Sequence, residues 1–86
     1  MKAILFDQFG GPENLYIGET EAPVPGPDEV LVAVAATALN RADILQREGK
    51  YPPPPGESTV LGLEMAGTIT SWGKNVSGFQ KGDRVC

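Results

Sequence analysis

Leu61-Gly62-Leu63-Glu64-Met65-Ala66-Gly67-Thr68-Ile69 has the composition of a buried strand at the centre of a sheet, yet it carries two glycines and an acid. Glycine within a strand weakens it, and usually marks a bulge, a bend or a close approach of another backbone or a ligand. Gly62 and Gly67 therefore point to constraint at both ends of one central strand. Glu64, set among Leu63, Met65, Ala66 and Ile69, needs a hydrogen bond, a counter-charge or a cleft edge, because an unpaired buried carboxylate is costly. A structural acid satisfied by a backbone amide, by Arg41 or by Arg84 outweighs a catalytic one.

Upstream of this strand, Glu29–Thr37 (Glu-Val-Leu-Val-Ala-Val-Ala-Ala-Thr) is apolar on both faces, the pattern of an interior strand with one crowded side. Ala38 and Leu39 lead from it into Asn40-Arg41-Ala42-Asp43-Ile44-Leu45-Gln46-Arg47-Glu48-Gly49. Here a helix of two to three turns is predicted, capped at Asn40, with an acid three residues on at Asp43 and a terminal Gly49. Lys50-Tyr51-Pro52-Pro53-Pro54-Pro55-Gly56 cannot be helix or interior strand, so Tyr51 stands at the surface on a stiff polyproline-like arm. Further out, Lys2–Phe6 and Leu15–Glu21 are short strands around the turn chemistry of Asp7-Gln8-Phe9-Gly10-Gly11-Pro12-Glu13, where the Gly pair supplies positive φ. Pro23, Pro25 and Pro27 forbid a ladder and give a stiff connector. Downstream, Trp72 to Phe79 is turn-rich, Gln80-Lys81-Gly82-Asp83 is a tight turn, and Arg84-Val85-Cys86 looks like the start of a strand. The chain thus stops where an element begins, which reads as an N-terminal part of something longer.

Composition excludes several classes. At 86 residues the chain is one small domain at most, burying only roughly 60 to 65% of its unfolded surface. Net charge is −4 and the seven Lys and Arg are scattered singly, which argues against nucleic acid. The longest apolar run, Val30 to Ala36, falls far short of the roughly 20 residues of a membrane span, and no signal-peptide pattern opens the chain. A soluble protein in a cytosolic setting fits best. One cysteine, Cys86, cannot form an internal disulfide, and without histidine there is no ordinary Cys/His metal set. Short strands punctuated by Gly and Pro, with one short helix, give a mainly β fold, a partly open barrel lacking its last strands.

Five segments in order resemble the medium-chain dehydrogenase/reductase superfamily: Phe9-Gly10-Gly11-Pro12-Glu13, Ala38–Asp43, Gly49-Lys50-Tyr51-Pro52, Leu61–Gly67 and Phe79–Val85. Within it they are most similar to the zeta-crystallin-like quinone oxidoreductases, including the tumour-suppressor-inducible enzyme and its bacterial relatives. No one motif is specific; five in order with compatible spacing are. The resemblance implies that residues 1–86 are the N-terminal part of a GroES-like substrate-side domain. In the complete enzyme a Rossmann domain holding NADPH follows, and no glycine pattern for one occurs in this chain. The implied activity is hydride transfer from NADPH to a quinone or another electron-poor small molecule, by a homo-oligomeric full-length enzyme, the fragment alone being inactive. A metal-free enoyl reductase and a non-catalytic GroES-like interaction module are the alternatives.

Departures from the wider superfamily matter as much. Zinc-dependent relatives carry a Cys ligand near the position of Asn40 and a His-Glu pair where this chain has Leu63-Glu64; an amide and a leucine supply neither thiolate nor imidazole. No zinc is therefore expected. By resemblance, the segment from Asn40 to Asp43 lies beside the nicotinamide end of the cofactor, Asn40 also bordering the substrate. Asn40 and Asp43 are equally good capping residues, and Asp43 is ordinary dipole chemistry near a helix start. Tyr51 matches a tyrosine that contacts the cofactor and borders the quinone site, against plain packing on its prolines. Arg41 is a weaker cofactor-binding candidate, able to reach a carboxylate or solvent.

Overall fold

A computed structural model describes all residues from Met1 to Cys86. The fold is mainly β, with five strands in two sheets and one short helix: β1 (Lys2–Phe6), β2 (Leu15–Glu19), β3 (Val30–Thr37), α1 (Arg41–Arg47), β4 (Met65–Trp72) and β5 (Arg84–Val85). These elements fall into two compact units, one of residues 1–21 and 39–63, the other of residues 22–38 and 64–86. No helix is long and apolar enough to cross a membrane.

In the first unit, β1 and β2 form an antiparallel hairpin in the register Lys2 with Glu19 through Phe6 with Leu15. The strand expected to run to Glu21 stops at Glu19, ahead of the prolines. Of the Gly pair only Gly10 takes positive φ (139°); Gly11, at φ −80°, caps a single 3-10 turn over Pro12–Asn14. Helix α1 begins as its sequence predicts. Asp43 Oδ2 accepts the Asn40 N–H at 2.9 Å, the return half of a capping box, and the Asp43 N–H is bonded to the Asn40 carbonyl at 3.0 Å. It ends in a Schellman motif: with Gly49 at φ 82°, its N–H meets the Gln46 carbonyl at 3.0 Å and the Lys50 N–H meets the Leu45 carbonyl at 2.8 Å.

In the second unit the strand order is β3-β4-β5, antiparallel throughout. The central place of β4 is as expected, but its extent is not. Gly62 lies at φ 125°, a conformation that breaks a pleated strand, so Leu61 to Glu64 stay outside the ladder and β4 begins at Met65. Glu64 is correspondingly exposed rather than buried. Its backbone carbonyl accepts the Thr37 hydroxyl at 2.7 Å, and its carboxylate pairs with neither Arg41 nor Arg84. β3 is an edge strand, not an interior one. Only its first three residues are half-buried, and Ala33 to Thr37 are exposed. Of Gly62 and Gly67, only Gly67 is under steric constraint, because a Cβ there would run into the Ala33 carbonyl of β3 whereas one at Gly62 would meet nothing. The one fully buried apolar side chain is Ile69, 1% exposed, on β4. It is bracketed by bonds from its N–H to the Asp83 carbonyl (2.9 Å) and from the Gly82 N–H to its own carbonyl (2.8 Å). These bonds tie the Gln80–Asp83 turn to the central strand.

Candidate functional site

The expected site residues Asn40, Arg41, Asp43 and Tyr51 all lie in the first unit, on α1 or flanking it. The segment Ala38-Leu39-Asn40 joins β3 to α1 without any glycine, so this strand-turn-helix lacks the backbone cradle a pyrophosphate needs. Asn40 is half-buried and joined to Asp43 by the capping box, its backbone N–H held by the Asp43 carboxylate and its side chain turned to the Asp43 N–H. Asp43 is 5% exposed, and while Oδ2 takes the Asn40 amide, Oδ1 is buried with no partner. Arg41, on the first turn, is exposed and in no ion pair. Tyr51 is 49% exposed, its hydroxyl in no hydrogen bond. Asn40 and Asp43 are thus directly joined, whereas no hydrogen bond links Arg41 or Tyr51 to that pair.

Chemically, these groups present a capping amide, an unpaired guanidinium and an open phenol ring. An amide donates and accepts, a guanidinium meets anions in a fork, and a phenol offers both a ring face and a hydroxyl. Together they offer donors, an acceptor and an aromatic face, and they do not make a complete dinucleotide site. For a metal the donor set is poor. No three His, Cys, Asp or Glu side chains are grouped to hold an ion.

Gln46 did not stand out in the sequence. It is 8% exposed, and its Nε2 donates to the Thr59 carbonyl at 3.0 Å, tying the proline-rich arm back to the helix. The available signal was its spacing. Asp43 and Gln46 lie three apart on one helical face, and they are the two buried residues of α1, while Ile44 is exposed. The same C-terminal end of the helix is fixed to the β1–β2 loop by a reciprocal pair: the Gly10 N–H meets the Arg47 carbonyl and Arg47 Nε meets the Gly10 carbonyl, each at 3.0 Å. On the hairpin, the Tyr16 hydroxyl donates to Asp7 Oδ1 at 3.0 Å. That hydrogen bond, with smaller contributions from lost hydration and the Asp7 charge, raises the phenol above its ordinary value of 10.0.

Residues 26–86 match the alcohol dehydrogenase GroES-like domain. A quinone oxidoreductase of Lama guanicoe is 41% identical over 86 residues, covering 99% of this chain and 26% of that protein. An acryloyl-coenzyme A reductase of Sulfurisphaera tokodaii is 42% identical, covering 99% and 25%. The crystal structure of Escherichia coli quinone oxidoreductase complexed with NADPH superposes at a TM-score of 0.85, with 37% identity over 98% of this chain and 26% of the other. The chain thus spans about a quarter of the length of these relatives. With this family match covering most of its residues and its fold superposing closely on the solved relative, the chain belongs to the alcohol dehydrogenase GroES-like domain family of the medium-chain dehydrogenase/reductase superfamily.

Proposed function

We propose that this chain is the substrate-side part of a zinc-independent, NADPH-dependent quinone oxidoreductase. The observation that carries this is likeness across nearly the whole chain to quinone oxidoreductases, one of them solved with NADPH. The donor set supports it further: there is no histidine, and an amide and a leucine stand at Asn40 and Leu63, where zinc-dependent relatives place ligands. Bound NADPH would supply the hydride. The task of these residues is to bind and orient. Asn40, pinned through its backbone to Asp43, holds its amide for the reacting end; Arg41 meets negative charge; Tyr51 forms one wall against the acceptor. Residues beyond these 86 hold the rest of the dinucleotide.

A second reading, reduction of a polarised carbon–carbon double bond, is favoured by the 42% identity to an acryloyl-coenzyme A reductase. Assaying the full-length enzyme with a quinone and an enoyl thioester side by side separates the two. The role of Tyr51 is tested in the same protein. Tyr51→Ala removes ring contact and a hydroxyl and should lower kcat/KM roughly tenfold to a hundredfold, on the order of 1.4 to 2.7 kcal/mol. Tyr51→Phe should cost less. Unchanged kcat/KM with a lowered Tm would make Tyr51 a packing residue only.

A further inference from the structure

Within the first unit lies a pocket of about 360 Å³, within the size range of small-molecule sites, which run from roughly 300 Å³ upward. Its walls come from three segments: Phe6 to Phe9 at the end of β1 and into the loop, Gln46 and Gly49 at the end of α1, and Pro52, Pro53 and Thr59 on the arm. Each wall is fixed to the next. The Gly10–Arg47 pair holds the loop to the helix, and the Gln46–Thr59 bond holds the arm. Phe6 and Phe9 stand with ring centroids 6.0 Å apart. Phe9 is 69% exposed although its ring lies against Gly49, where a Cβ would come within 2.9 Å of it. The ring is therefore held in place with much of its apolar surface still in water.

Gln46 supplies the polar end. More than nine-tenths of the residue is buried, and the bond from Nε2 to Thr59 fixes which way the amide points. Its Oε1 accepts no hydrogen bond, yet is not sealed from solvent as Asp43 Oδ1 is. A carbonyl oxygen without a partner, on a side chain lining a pocket with aromatic and proline walls, calls for a donor carried on a flat apolar body. Asp7, also on the wall, spends one carboxylate oxygen on Tyr16 and adds acceptor character to the same pocket. A quinone, which only accepts, does not fit this pattern.

We propose that this pocket is a binding site for aromatic alcohols, the class of phenols, naphthols and hydroquinones. The ring lies between Phe9 and Pro52, and the hydroxyl donates to Gln46 Oε1. The proposal is independent of the reductase reading, since it uses neither Asn40 nor Tyr51. The test is a titration of the ¹⁵N-labelled chain with 2-naphthol, followed by amide shifts. Saturable shifts confined to residues 6–10, 46–50 and 56–59 are expected, with naphthalene binding about tenfold more weakly for want of the donor. Phe9→Ala, at an exposed side chain, should weaken 2-naphthol at least about tenfold. Gln46→Met should erase the preference for naphthol over naphthalene; should that variant not fold, the Phe9 variant and the naphthalene comparison still decide. No saturable shift up to about 10 mM, shifts centred elsewhere, or equal binding of naphthalene would overturn the proposal.

Discussion

Replacing Gly67 by alanine adds a methyl group at the centre of the three-stranded sheet, at a backbone conformation that alanine accepts freely. The added Cβ would collide with the Ala33 carbonyl and lie 2.8 Å from Val32 Cγ1 and 3.0 Å from the Ala33 carbonyl carbon. The first and last of these are backbone atoms of the neighbouring strand, so no rotamer change relieves them. β3 and β4 must separate around the pairs Ala33–Thr68 and Val34–Gly67. Overpacking of this kind costs about 1–3 kcal/mol, and weakening one or two ladder hydrogen bonds adds roughly 1 kcal/mol. Lower unfolded-state entropy offsets about 0.4–1 kcal/mol. The net loss is about 2–3 kcal/mol, or a Tm lower by roughly 10–20 °C in a domain of this size. Urea unfolding followed by the fluorescence of Trp72, the one tryptophan, at the end of β4, reads the change. Gly78→Ala is the control: with φ 88° and nothing within 4 Å of the added methyl, it bears backbone strain alone, about 1–2 kcal/mol. A Gly67→Ala variant no less stable than Gly78→Ala would refute the steric argument.

Asp43→Ala should destabilise α1 by about 1 kcal/mol through loss of the bond to the Asn40 amide. Asp43→Asn, which keeps an acceptor and discharges a side chain with one orphaned oxygen, should cost less in the same urea titration. Tyr16 should ionise above the ordinary 10.0 in an ultraviolet titration, and Asp7→Asn should bring it back. Because the folded value is raised, the stability from this contact is intact below pH 10.0 and is lost as pH climbs through the raised value. The full-length enzyme should keep its turnover after prolonged chelation; stoichiometric zinc with activity lost on its removal would count against the metal-free reading.

What the sequence made legible was local. Asn40, Asp43 and Gly49 each act within four residues of their own position, so both ends of α1 could be placed from type and spacing alone. The start of β4 was not legible, because a Gly that bends a strand and a Gly that lets another strand approach are the same letter; Gly62 proved to be the first and Gly67 the second. The apolar run of β3 looked interior, since composition records what a strand can bury and not which neighbours stand beside it. For the same reason Gln46 passed unnoticed: its role comes from Thr59, 13 residues away. The candidate residues Asn40, Arg41, Asp43 and Tyr51 were identified through resemblance, with only the pairing of Asn40 and Asp43 foreseeable from helix chemistry.

Both compact units are discontinuous in the chain, and their segments alternate: 1–21, then 22–38, then 39–63, then 64–86. On a ribosome, which delivers the N-terminus first, the β1–β2 hairpin can form early, but Gly10 has to wait for Arg47, 37 residues later. By then the strand β3 has already emerged and is itself waiting for β4. Each half-made unit thus spans the interval in which the other is begun, and a nick anywhere between residues 22 and 63 interrupts at least one of them. Neither unit can be passed on by gene fusion as an uninterrupted piece, so the two are bound to travel together.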